Sequence, residues 1–351
     1  MPSAQITAAA GDSLADPGPL ANLSPAMEPA AIQRAMHAVA DWQIAHSANK
    51  VNQDWTYAPL YLGLLAASET THDRKYHDFV LQTSERFHWK LWANRPLHAD
   101  DEAIGQAYEA LYAEKSDPVR IADTRATFDR LVERKDDPAK ELWWWCDALF
   151  MAPAGLARMS ALTGDHKYID AMNREWALTQ AKLYDPQEHL FFRDATFLQK
   201  TEKNGRKLFW GRGNGWVLAG LVDVIRVLPE KDPARVRYIQ LYREMAARIA
   251  GLQQADGLWR TGLLDPDAYT LPEVSGSAFF TYAFAWGVNE DILDRATYAP
   301  IAEHAWAGML HHIYADGRLG CQGRSKSGPV WRSKREPLGA LGLPWARASG
   351  A

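Results

Sequence analysis

Two kinds of apolar pattern alternate along the chain. In the first, almost every position is apolar. Residues 216–228 carry Trp216, Val217, Leu218, Leu221, Val222, Val224, Ile225, Val227 and Leu228. Such a segment predicts a helix buried on all sides. In the second kind, one stripe is apolar. Ile239, Tyr242, Ala246 and Ile249 repeat at helical spacing, with Arg235, Arg243 and Arg248 off the stripe, as in a surface helix. Residues 278–288 return to the buried type. No segment shows the strict two-residue alternation of a strand.

The two patterns come in pairs joined by short polar turns that contain Asp. Gly63 to Tyr76 and Gly155 to Tyr168 match at an offset of 92 residues, with Asp73 and Asp165 in equivalent turns. Residues 107–118 lie between them and hold Asp117-Pro118. Looser copies follow: 216–228 with Asp232-Pro233, and 278–288 with Asp291. Asp suits the start of the second helix, where its carboxylate meets free N–H groups, and Pro suits the first helical position. Buried and amphipathic helices in alternation predict an all-α toroid, an inner ring of helices inside an outer ring. Five hairpins can be counted up to about Ile313. The sixth is expected to be incomplete, because residues 322–351 are rich in Gly, Pro and Ser and lack helical periodicity. The expected organisation is therefore a loose leader over 1–25, a helical domain over 26–320 and an irregular basic tail over 321–351.

Composition removes several function classes. The 351 residues hold 39 basic and 43 acidic side chains, a net charge of −4, which argues against a nucleic-acid binder. No apolar run is long enough to span a membrane. Two cysteines make neither a disulfide framework nor a zinc site. Eleven histidines include the adjacent His311-His312 but no His-x-x-x-His, so no metal site is expected. Residues 1–24 lack the features of a secretory signal, so a cytoplasmic protein is expected from this start, or a periplasmic one if an export signal precedes it. A monomer or weak homodimer is expected. The unusual feature is aromatic: 15 Trp, 13 Tyr and 11 Phe, which can fill a large core, stack on sugars, or both.

Four constellations carry candidate chemistry. Asp147 lies in Trp143-Trp-Trp-Cys-Asp147-Ala-Leu-Phe-Met151, and an apolar surrounding would raise its pKa toward that of a working general acid. The same run also reads as a capping aspartate among core tryptophans. Asp100 and Asp101 precede another inner helix. In a toroid the like ends of inner helices converge on one mouth, where two carboxylates can divide acid and base roles. Phe209-Trp210-Gly-Arg212-Gly-Asn-Gly-Trp216 lacks the spacing and preceding strand of a dinucleotide site. It offers an Arg at a helix start, suited to a carboxylate, flanked by Trp210 and Trp216 for sugar stacking, or else a tight turn with core tryptophans. Asp256-Gly-Leu-Trp259, with Glu273-Val-Ser-Gly-Ser277, could line the same mouth.

Taken in order, the Asp147 run, Leu-Phe191-Phe-Arg-Asp194, the Arg212 run, Asp256-Gly-Leu-Trp259 and Glu273-Val-Ser-Gly-Ser-Ala-Phe-Phe resemble the unsaturated glucuronyl and rhamnogalacturonyl hydrolases, glycoside hydrolase families 88 and 105. The likeness covers roughly residues 30–320. It implies an (α/α)6 barrel. It also implies a substrate, the 4,5-unsaturated uronic acid that polysaccharide lyases leave at the non-reducing end of oligosaccharides. In that chemistry a carboxylic acid protonates C4 of an enol ether, water adds at C5, and the hemiketal opens and expels the remaining saccharide. The resemblance carries the acid onto Asp147. It carries the second carboxylate onto Asp100, five residues before Gly105, with Asp101 as the fallback. Arg212 and Trp216 match sugar-pocket residues and Trp145 a subsite tryptophan. Trp210, Arg193 and Trp55 complete the expected substrate-binding set. No metal or organic cofactor is implied.

The position of Arg193 is often His in characterised rhamnogalacturonyl members, which bears on substrate choice beyond the unsaturated ring. Three other readings stand beside this one: a conventional glycosidase on the same fold, a non-catalytic saccharide-binding toroid, and a helical scaffold for protein partners.

Overall fold

A computed structural model describes residues 18–320 except 93, 96, 138 and 270. A first helix, α1 (Pro29–Ser47), precedes five hairpins. The first hairpin is α2 (Ala58–Thr71) with α3 (Arg74–Arg86). In the second, α4 (Ala99–Glu102) and α5 (Gly105–Glu114) pair with α6 (Ala122–Val132). In the third, α7 (Ala148–Met151) and α8 (Pro153–Thr163) pair with α9 (Lys167–Leu183). The last two are α10 (Gly211–Val227) with α11 (Pro233–Ala250), and α12 (Val274–Asn289) with α13 (Arg295–Leu310).

Successive first members touch, α2 to α5 to α8 to α10 to α12, and form the inner wall. A cavity of about 440 Å³ lies within this wall, lined by residues of all five, among them Leu62, Ala110, Arg158, Ala219 and Phe279. None of the expected site residues lines it. Burial follows the sequence pattern. Only Thr281's neighbour Tyr282 and the terminal Asn289 escape full burial in α12, whereas α3 buries Tyr76, Val80, Thr83 and Ser84 alone. The inner helices pack at backbone distance. A Cβ on Gly220 of α10 would stand 2.1 Å from the Leu149 carbonyl oxygen, so only glycine permits this approach.

The turn aspartates act as expected at most hairpins. Asp73, Asp232 and Asp294 accept hydrogen bonds from the first-turn N–H groups of Lys75, Ala234 and Thr297. The residue that caps α13 is therefore Asp294, not Asp291. Asp291 sits in the left-handed region at φ 54°, within the turn itself.

The ring closes through α1. On one side Gln33 Nε2 donates to the Thr70 carbonyl, and Lys75 pairs with Asp41. On the other, the turn after α13 packs Gly317 onto the Ala38 carbonyl. Residues 18–25, expected in the loose leader, are tied down: Ala21 N–H donates to Ile313 O and Ala315 N–H to Pro19 O, both at 2.8 Å. The one ribbon among the described residues pairs Tyr184–Asp185 with Leu190–Phe191, too short to be read from alternation. The expected irregular tail and incomplete sixth hairpin lie outside the described residues.

The inner helices of the second and third hairpins are each broken after one turn. Pro153 cannot donate to a preceding carbonyl, so α7 ends at Met151. Gln106 of α5 answers with its side-chain amide, which donates to Phe150 O at 3.0 Å and Met151 O at 2.9 Å. A buried amide thus joins the hairpin that carries Asp100 to the hairpin that carries Asp147.

Candidate active site

Asp147 immediately precedes α7, yet its carboxylate caps nothing. The capping alternative is thereby removed. Cys146 Sγ donates to Asp147 Oδ2 at 3.4 Å. Cys146 is pinned by its own N–H, which donates to Arg193 O at 2.8 Å. Behind it lies Gly213, where a Cβ would come within 3.0 Å of the thiol. The glycine-rich stretch is thus the first turn of α10, kept bare so that Cys146 and Trp210 can pack against it. Burial pushes the Asp147 carboxyl above the usual carboxylate range, and the Cys146 thiol, Arg212 and Arg193 pull it back.

Asp100 lies in α4, with its side chain 13% exposed. Burial raises its carboxyl to about 7. Arg95 opposes that rise, while Asp147, Asp101 and Asp54 add to it. Asp147 is the more buried of the two, and its charge adds to the rise at Asp100.

Asp101, the fallback, is otherwise engaged. Arg95 holds it with its N–H at 2.6 Å, Nε at 3.1 Å and Nη2 at 2.5 Å. The same guanidinium reaches Asp100 only at 3.5 Å. His98 completes the local order: its Nδ1 accepts the N–H of Asp100 at 3.3 Å, and its ring lies 4.5 Å from that of Trp145. Burial, then Arg95, push the imidazole down to about 4, so it is neutral at neutral pH.

Two of the expected substrate-binding residues, Arg212 and Arg193, act on the Asp147 carboxyl through their charge. The Arg212 guanidinium lies 4.7 Å from the Trp210 ring, and Nη1 donates to Glu273 Oε1 at 3.1 Å. Glu273 is itself fixed, capping α12 through Gly276 N–H at 2.5 Å and accepting from the Ser275 hydroxyl. Trp216 packs on Phe279 at 4.3 Å and Phe150 at 4.8 Å and meets the edge of Trp55 at 6.3 Å. Arg193 binds Asp194 through Nε and Nη2, both at 2.7 Å, and lies over Phe197. Its permanent charge is therefore already matched by a buried carboxylate. Trp145 is 9% exposed, covered by His98 and Trp144.

Arg95 and His98 were not among the expected site residues, and Glu273 and Trp144 were expected only as members of their motifs. Arg95 and His98 stand five and two positions before Asp100, a detectable cluster of polar groups. Nothing local said which acid they would engage. Among the described residues no cluster of His, Cys, Asp and Glu could hold a metal ion, and no helix is long and apolar enough to cross a membrane.

Comparison with known proteins specifies the class to which this ring of helical hairpins, with its two burial-shifted carboxyls, belongs. Residues 30–333 match Glycosyl Hydrolase Family 88, and the chain belongs to that family. It is 39% identical over 311 residues to an unsaturated 3S-rhamnoglycuronyl hydrolase of Formosa agariphila, covering 82% of this chain and 81% of the relative. A protein of the same name from Alteromonas sp. strain LOR is 34% identical over 318 residues, covering 82% of this chain and 77% of that one. A solved family 88 hydrolase from Bacteroides vulgatus superposes with a TM-score of 0.82 at 26% identity, covering 90% of this chain and 97% of the other. The fold is accordingly the (α/α)6 barrel, and the protein is a glycoside hydrolase.

Proposed function

We propose that this enzyme removes the 4,5-unsaturated uronic acid from the non-reducing end of lyase-generated oligosaccharides, with rhamnose as the adjoining sugar. The names of the two relatives support the substrate class, and the observation that carries the chemistry is the buried Asp147, whose carboxylate caps no helix and is raised by burial, with Asp100 likewise raised, in part by the Asp147 charge. Asp147, desolvated and uncommitted to any cap, delivers its proton to C4 of the enol ether. Positive charge develops at C5 and on the ring oxygen. Asp100, kept available because Arg95 is engaged by Asp101, takes a proton from the water that adds to C5. The C5 hemiketal then opens and the saccharide leaves. Arg212, set by Glu273 and Trp210, takes the uronate carboxylate, and Trp216 and Trp55 bound the ring. Such general acid and base steps contribute about 10²- to 10⁴-fold each.

The experiment is optical. Mixing the protein with lyase-generated oligosaccharides should abolish the absorbance of the conjugated enol ether, while saturated uronides stay inert. Asp147→Asn keeps the shape of the side chain but cannot deliver the proton, so turnover should fall at least about 100-fold with an unchanged melting curve. Wild-type turnover by that variant, or cleavage of saturated uronides at a similar rate, would overturn the reading.

A further inference from the structure

Trp143, Trp144 and Trp145 are consecutive but have different surroundings. Trp143 is fully buried, Trp145 keeps 9% of its surface, and Trp144 is 51% exposed. The exposed large apolar side chains among the described residues are Leu20, Val119, Trp144 and Val236. Trp144 alone of these is aromatic, and it stands three residues before Asp147. It continues a line of rings that starts beside Asp100: His98 to Trp145 at 4.5 Å, then Trp145 to Trp144 at 4.7 Å.

The backbone that presents Trp144 is held on both sides. The Thr179 hydroxyl of α9 donates to Trp143 O at 2.6 Å, and Cys146 N–H donates to Arg193 O. The backbone under the indole is thus fixed, and the ring rests against Trp145. Trp145, the tryptophan expected to form a subsite, has rings against it on both neighbours and little surface left for a sugar. A substrate attacked at its non-reducing end must extend the rest of its chain away from Asp147 toward solvent. An exposed indole three residues before Asp147 offers an apolar face to a pyranose ring, whose axial C–H groups are its least polar surface.

We propose that Trp144 is an outer sugar platform that binds the second sugar unit of the leaving saccharide, so that the enzyme favours unsaturated tri- and tetrasaccharides over the disaccharide. The proposal rests on the unsaturated-uronide reading above. Trp145 and His98 act beneath Trp144 as support.

The test is kcat/KM for Trp144→Ala and Trp144→Phe on unsaturated di-, tri- and tetrasaccharides. The ratio of tetrasaccharide to disaccharide kcat/KM should fall about 3- to 10-fold in Trp144→Ala, mostly through KM, and be largely restored in Trp144→Phe. A change that is equal at every chain length, or no change at any, would overturn the platform while leaving the uronide reading intact. A wild-type protein inert toward all unsaturated oligosaccharides would overturn both.

Discussion

Arg95 grips Asp101 through three hydrogen bonds of 2.5 to 3.1 Å and stands 3.5 Å from Asp100. Adjacent carboxylates on one helical turn are thereby given different roles. One is an anchor for the segment before α4, and the other keeps a raised pKa because the nearest cation is directed elsewhere.

That division predicts the behaviour of Asp101→Asn. Loss of the Asp101 charge lowers the Asp100 pKa directly, and the released Arg95 lowers it further, so both effects share a sign. The limb of the pH–rate profile that reports Asp100 should move about 1 pH unit toward acid. The rate at the new optimum should stay within about 10-fold of wild type, whereas Asp100→Asn should lose at least about 100-fold. An Asp101→Asn protein that melts normally but is as inactive as Asp100→Asn would reassign the second carboxylate to Asp101.

Arg212→Lys tests the anchoring of the uronate. The guanidinium stacks on Trp210 while donating to Glu273, and an ammonium cannot do both and still present a planar fork. One charge-assisted hydrogen bond lost corresponds to about 1.5–3 kcal/mol, so kcat/KM should drop about 10- to 100-fold. Unchanged KM and kcat would show that Arg212 serves only to join α10 to α12.

Glu102 follows Asp101 on the same turn, is buried, and has no hydrogen-bond partner for either carboxyl oxygen among the described residues. Burial raises it from about 4.5 to about 8, with Asp101 and Glu175 adding to the shift and Arg130 opposing it. The neutral acid is the form the fold accepts. The unfolded chain loses this proton above about pH 4.5, the folded chain only near pH 8, so the contribution to stability is full below pH 4.5 and declines between those values. The steepest slope for one proton is about 1.4 kcal/mol per pH unit. Glu102→Gln should therefore gain melting temperature relative to wild type as pH rises from 5 to 8. Parallel melting curves across that range would show that Glu102 is ionised in the fold.

The hairpin architecture was legible in the sequence because its causes are local. Whether a helix is buried or amphipathic is set by its own apolar periodicity, and Asp73 and Asp232 cap through bonds to N–H groups two residues on. The proposed site was legible as a set of motifs, since Asp147 and Arg212 each lie at the start of an inner helix. The hierarchy within the set was not. Asp100 and Asp101 have the same chemistry one residue apart, and only the path of the preceding segment determines which of them Arg95 meets. Three consecutive tryptophans are equivalent as letters, but Thr179, His98 and Arg193, all distant in sequence, leave Trp144 alone facing water. Helix periodicity depends on neighbours within a turn or two and can be read along the chain. Charge pairing, desolvation and exposure depend on groups distant in sequence, and only the closed ring brings those together.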